Sequence, residues 1–564
     1  MSALRMSLGV HEAAVRETLG RLVQAQIGRR LLAHDDRIWG DDPAHRKVAA
    51  NRLGWLDSPA AMRPDAESLA AFAREVASEG FTHAVLLGMG GSSLAPEVLR
   101  LTFGVAKGAL ELTILDNTSP AAVRAVADAH DLEHTLFVVA SKSGGTLEVV
   151  SFESYFWERV QAVRGDSTGK AFIAITDPGT SLAALATSRG YRRTFINPAD
   201  IGGRYSALSR FGLVPAALLG IDVAKLLDAA ISERRHLETD SGAGIELGAA
   251  LGTLAKAGRD KLTLVLPPAL ASYGTWIEQL VAESTGKSGV GILPVTEEPL
   301  AAPIHYGNDR VFVAIGAPHL PASTATALDA LEAAGHPVLR ESLPDLLALG
   351  ADMLRWEIAT ATAAAAMAVN PFDEPDVSAA KAATQRVLDV TAQTGRFPER
   401  VASAVSDGLS AYLPESVTLT LGASAEQWAD AVASWLEPSD YFALLAYVHR
   451  TDARHAALQT LRLAIRDRAR VATTLGYGPR FLHSTGQLHK GGPATGVFLQ
   501  LTCDEGELAI PGSTFSFSVL RAAQAAGDFD VLAERGRRVL RVHLGSEVDA
   551  GLERLTRAFA AVLR

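Results

Sequence analysis

The sequence predicts an α/β protein built from doubly wound parallel sheets, in two or three lobes behind a helical N-terminal lead-in. Three observations carry that prediction. Short apolar runs of strand length alternate with longer helical stretches along most of the chain. Two of those runs end in glycine- and serine-rich turns that open helices, which is where open α/β sheets bind ligands. No heptad array, short-period repeat or low-complexity tract competes with this reading. At 564 residues the chain is also too long for one hydrophobic core.

Residues 1–78 are charged and rich in alanine and leucine at helical spacing, and read as the lead-in. Residues 79–230 form a first α/β domain, with strands expected at 83–87, 111–115, 135–140, 171–175 and 193–196. Residues 231–385 form a second, with strands at 262–266, 311–315 and 337–339 and a long helix over 346–369. Residues 386–437 break the alternation and are assigned to a mixed connector. A C-terminal α/β lobe over 438–564 carries strands at 441–448, 471–475, 497–502 and 539–544.

Composition narrows the function. Hydrophobic residues make up 48% and charged residues 21%, as in ordinary globular domains. A net charge of −10 leaves no basic excess for displacing phosphate counterions, so nucleic acid is excluded as a partner. The single cysteine, Cys503, has no intrachain partner, which suits a reducing cytoplasm. The N-terminal residues lack an apolar signal-peptide stretch. The most apolar helix, 358–369, is too short to span a bilayer, so no membrane association is expected.

The densest chemistry lies in Ser141-Lys142-Ser143-Gly144-Gly145-Thr146, between a buried strand and a helix start. Free N–H groups and the positive end of a helix dipole suit a phosphate dianion there. Upstream, Gly88-Met89-Gly90-Gly91-Ser92-Ser93 repeats the strand–turn–helix pattern. Gly202-Gly203-Arg204-Tyr205-Ser206 presents a permanently charged fork, suited either to an oxyanion or to an interdomain salt bridge. Glu283 precedes Ser284-Thr285-Gly286-Lys287 and is either a general base or a solvated glutamate. Lys381 sits on a helix opened by Asn370-Pro371-Phe372-Asp373-Glu374-Pro375, the usual place for a solvated lysine. His483, in Leu482-His483-Ser484-Thr485-Gly486-Gln487, is either a proton-transfer group or structural. No cysteine or histidine cluster accompanies it, so no metal site is expected.

Together these six segments resemble phosphoglucose isomerases, aldose–ketose isomerases built from flavodoxin-like sugar-isomerase (SIS) domains. The resemblance covers most of the chain from about residue 80 onward. It implies that Glu283 shuttles the proton between C2 and C1 of an open sugar and that Arg204 stabilises the enediolate. His483 and Lys381 would open the ring. The phosphate would be held by Ser92, Ser141, Lys142, Ser143 and Thr146. Gly90 and Gly91 would let backbone approach the sugar, and Glu374 and Gln487 would contact it. No metal or organic cofactor is implied.

Two departures stand out. The lysine segment precedes the histidine segment here, the reverse of the usual order. That resembles the isomerase half of bacterial transaldolase–isomerase fusions, and it leaves open a functional association with a transaldolase. Glu374 replaces the glutamine usual in the family. The expected substrate is therefore glucose 6-phosphate, with mannose 6-phosphate or a sulfonated sugar as alternatives. A non-catalytic sugar-phosphate sensor is the alternative from another class. Family members are homodimers in which the histidine comes from the partner subunit, and the rearranged order lets His483 act either way.

Overall fold

The computed structural model describes residues 4–317, 320–417 and 420–563. It contains three sheets, and the strands expected from the apolar runs form the body of each. The first described element is a strand, β1 (Leu4–Ser7), which crosses to the second sheet and pairs antiparallel with residues 338–341 there. Four residues are too few for a periodicity signal. The helices expected for the lead-in follow, through Ala66–Ser78.

The first sheet comprises β2 (His83–Gly88), β3 (Glu111–Leu115), β4 (Thr135–Ala140), β5 (Phe172–Thr176) and β6 (Arg193–Ile196), all parallel, in the order β3-β2-β4-β5-β6. The winding direction reverses between β2 and β4. A crevice forms outside the carboxyl ends of strands at such a switch point. The two glycine/serine turns leave those two strands, so one topological fact brings both turns together. β4 is buried at every position and reads as an unbroken apolar run, as a central parallel strand must.

The second sheet contains β7 (Lys261–Val265), β8 (Leu293–Val295), β9 (Arg310–Ala317) and β10 (Val338–Ser342), parallel to one another, in the order β1-β10-β9-β7-β8. Helix Tyr273–Thr285 joins β7 to β8 and carries Glu283 in its last turn. Helices Ala243–Lys256 and Leu349–Met367 cross so closely that a Cβ on Gly248 would meet the Thr362 side chain at 2.6 Å.

The third sheet holds β13 (Tyr441–Tyr447), β14 (Ala472–Tyr477), β15 (Gly496–Thr502) and β16 (Arg538–His543) in parallel. The connector adds to it. β11 (Ala404–Ser406) and β12 (Leu409–Tyr412) make a hairpin whose second strand pairs antiparallel with β16. Gly408, at φ +79°, makes the turn. The lysine helix, Pro375–Thr394, packs on helix Phe517–Glu534 of this lobe. A Cβ on Gly527 would stand 2.7 Å from the Thr384 nitrogen, so the two axes approach unusually closely. Apolar side chains of β8, β13, β15 and the histidine segment share one cluster, which seats the C-terminal lobe against the second sheet.

Candidate active site

Two motif backbones touch. A Cβ on Gly91 would lie inside van der Waals distance of the Gly203 carbonyl, so only glycine lets the first turn meet the arginine turn. Gly90, at φ +54°, faces Gln279 and His483. Its absent Cβ would stand 2.9 Å from Gln279 Nε2 and 3.1 Å from His483 Cβ. Ser92 is buried beside them.

The serine turn leaves β4 and opens helix Leu147–Arg164. Ser141 is buried, its hydroxyl 3.0 Å from that of Thr146, and accepts from the Gly144 N–H at 3.1 Å. Ser143 Oγ accepts from the Gly145 N–H at 3.4 Å. Thr146 stands at the N-cap without capping the helix with its side chain. The Thr146 hydroxyl therefore leaves the helix N-terminus, with its positive dipole end, facing the turn. Lys142 is engaged elsewhere: its ammonium pairs with Asp177 and donates to the Ala199 carbonyl at 3.0 Å. Asp177 takes up the positive charge expected to serve the turn directly.

A cleft of about 240 Å³ lies in front of this turn. Ser143, Thr146, Glu148, Lys381, His483 and Gln524 all border it, so the phosphate turn, the lysine and the histidine meet within one chain. His483 Nε2 is 3.0 Å from Glu148 Oε1, which also accepts from Gln524 Nε2 at 2.7 Å. Gln524 Oε1 in turn accepts from Thr118 at 2.9 Å. Burial alone would raise the Glu148 carboxyl, but the adjacent His483 and its hydrogen bond bring it below the ordinary range. Glu148 is therefore an anion held against an imidazole.

At the other end, Glu283 is buried on its helix. Its Oε1 is 2.8 Å from Arg204 Nη1, and its Oε2 accepts from Gln279 Nε2 at 3.2 Å. Burial raises this carboxyl; Arg204 opposes the rise, Glu374 reinforces it, and the net direction is upward. Gln279 Nε2 also donates to the His483 carbonyl at 2.8 Å and so ties the two ends together. Arg204 is anchored by carbonyls: Nη2 donates to Pro371 at 2.8 Å and Asp373 at 3.0 Å, and Nε donates to Ser284 Oγ at 3.0 Å. Glu374 pairs with Arg204 Nη1 at 3.2 Å and is not an unpaired carboxylate. Lys287 clamps the same loop through the Asp373 carbonyl at 2.6 Å and carboxylate at 2.8 Å. Burial lowers that lysine to about 8.

Gln487 departs from its expected place among substrate contacts. It is fully buried. Its Oε1 accepts from the N–H groups of Asp376 at 3.0 Å and Val377 at 3.3 Å, and its Nε2 donates to Gly286 O at 3.1 Å and Asp376 Oδ2 at 2.7 Å. It fastens the start of the lysine helix to the glutamate helix. Conversely, Gln279, Gln524 and Thr118 join the site without having been singled out. Gln279 lies one helical turn before Glu283 and was legible from that spacing. Gln524 and Thr118 had no sequence signal, since their partners are hundreds of residues away. Among the described residues no cluster of three or more His, Cys, Asp or Glu side chains could hold a metal ion. No helix there is long and apolar enough to cross a membrane.

Residues 62–311 match the phosphoglucose isomerase family model. A glucose-6-phosphate isomerase of Rubrobacter xylanophilus is 30% identical over 362 residues, spanning 55% of this chain and 84% of that protein. One from Campylobacter jejuni is 28% identical, over 54% of this chain and 85% of its own length. The solved structure of a glucose-6-phosphate isomerase from Chlamydia trachomatis superposes with a TM-score of 0.55 at 18% identity, covering 70% of this chain and 89% of that one, and so shares the fold.

Proposed function

The chain belongs to the phosphoglucose isomerase family, and from that premise we propose that it interconverts glucose 6-phosphate and fructose 6-phosphate. The observation that carries the reading is the pairing of a raised, buried carboxyl with an arginine, joined through Gln279 to a histidine–glutamate pair.

The phosphate sits at the N-terminus of helix Leu147–Arg164, held by Ser143 and Thr146 with Ser141 behind them. Lys142, neutralised by Asp177, shapes the turn. His483, paired with Glu148, and Lys381 pass a proton from the C1 hydroxyl to the ring oxygen. The ring then opens to the aldehyde. Glu283 takes the proton from C2, electrons move onto the carbonyl oxygen, and Arg204 holds the enediolate. Such stabilisation contributes about 2.7–4 kcal/mol per donor. The O2 hydroxyl proton passes to O1, and the same carboxyl returns its proton to C1 and gives the ketose. A carboxyl raised towards working pH is a better base than an ordinary one. Side chains move every proton in this scheme, so no metal or cofactor is called for.

A cytoplasmic location suits this substrate and the reduced Cys503. His483 and Glu148 pair within one chain, so this reading does not need a homodimer to bring the histidine to the site, and a transaldolase partner would act on the product pool. Conversion of fructose 6-phosphate in the presence of chelator tests the reading, with mannose 6-phosphate and a sulfonated hexose alongside. Turnover of fructose 6-phosphate that is lost in Glu283→Gln supports it. Binding without turnover by the wild type points to a sensor. Preference for another sugar overturns the substrate assignment.

A further inference from the structure

Among the described residues Arg204 Nη1 has two carboxylate partners. Glu283 Oε1 lies 2.8 Å away and Glu374 Oε2 3.2 Å away. The guanidinium's other nitrogens are spent on Ser284 and on the carbonyls of Pro371 and Asp373, so it cannot swivel to serve the two acids separately. The two carboxylates differ in exposure. The Glu283 side chain is 10% exposed and that of Glu374 41%. Glu374 is also the residue before helix Pro375–Thr394, and it makes no capping hydrogen bond that would explain its conformation.

We propose that Glu374 is a positioning residue that sets the working state of Glu283 by competing with it for Arg204 Nη1. While both acids share the nitrogen, neither is fully neutralised. When Glu283 turns to the sugar, Glu374 remains to hold the guanidinium in place. Glu374 also supplies negative charge next to the buried acid, and that charge keeps the Glu283 proton affinity high. The groups facing Glu283 are Gln279 on its own helix, Arg204 and Tyr205 from the arginine turn, Glu374 from the lysine loop, and His483. Lys287, from the glutamate segment itself, is directed to Asp373. Glu374 is the only one of these that is both acidic and in contact with Arg204 among the described residues.

The two acids touch one nitrogen, so their oxygens lie within about 6 Å of each other, and removing one charge should move the other group by about half to two pH units. This proposal rests on Glu283 being the base. The test is the pH profile of kcat/KM for wild type, Glu374→Gln and Glu374→Asp. The acid limb should move to lower pH in Glu374→Gln and stay near its wild-type position in Glu374→Asp. Coincident limbs in wild type and Glu374→Gln would overturn the proposal. Carbon-13 NMR of labelled glutamate carboxyls, with Glu283 assigned by its loss in Glu283→Gln, reads the same shift without turnover. An inactive wild type would overturn the isomerase reading, and the NMR titration would still decide whether Glu374 acts on Glu283.

Discussion

Replacing Glu148 by glutamine should disable ring opening while leaving the fold and the phosphate site in place. The carboxylate pairs with His483 Nε2 at 3.0 Å and accepts from Gln524 at 2.7 Å on the same oxygen. Glutamine preserves the size and the acceptor for Gln524 but removes the carboxylate charge that His483 faces. Proton transfer through His483 then loses its charged partner. General acid–base transfer of this kind typically contributes about 10²–10⁴-fold, or roughly 2.7–5.4 kcal/mol of barrier. Steady-state assays should show kcat on the ring sugar falling about 100-fold or more, with KM within a few-fold, because the hydroxyls of Ser143 and Thr146 that hold the phosphate stay in place. Stability gives a second readout. The folded-state proton affinity of Glu148 is lowered, so its contribution is present above the unfolded carboxyl pKa and lost as pH falls through the folded one. Glu148→Gln should therefore lower stability at pH 7 and converge with wild type in acid. A variant keeping more than about a third of wild-type kcat would refute the assignment.

Gly91→Ala forces a methyl against the Gly203 carbonyl, and such overpacking typically costs about 1–3 kcal/mol. Thermal unfolding should show the loss, and activity should fall with it because the arginine turn is displaced. Glu278 is pushed up to about 7 by burial and by the nearby Glu297. Its folded pKa lies above its unfolded one, so it favours the folded state in acid and loses that contribution as pH rises from about 4.5 to 7. Glu278→Gln should then gain stability relative to wild type at pH 8 and show no gain at pH 4, as read by denaturant midpoints. His483 and Glu148 come from one chain, so specific activity should stay constant on dilution well below any dimer dissociation constant. A loss of activity proportional to dissociation would show that a second copy completes the site.

The strands of all three sheets were legible because buried parallel strands are continuous apolar runs between turn signals. Strand β1, strand β8 and the β11–β12 hairpin were not, because three or four residues carry no periodicity and their pairing is decided at distant edges. In the site, residue type left Glu283, Arg204, His483 and Lys381 open to structural readings, and the joint resemblance of their segments singled them out; Glu283 meets Arg204, and His483 and Lys381 border one cleft. What lay beyond local sequence was pairing. Asp177 draws off Lys142, Gln487 is spent on a helix start, and Gln524 reaches Glu148 from the far end of the chain. The unusual acid at 374 was visible, but its role depends on an arginine 170 positions away.

The most direct test of Glu283 as the shared base is turnover of fructose 6-phosphate in deuterium oxide. After many turnovers, glucose 6-phosphate made by the wild type should carry deuterium at C2, and folded Glu283→Gln should neither turn over nor introduce label. Turnover or labelling at the wild-type rate by folded Glu283→Gln would contradict proton transfer through Glu283.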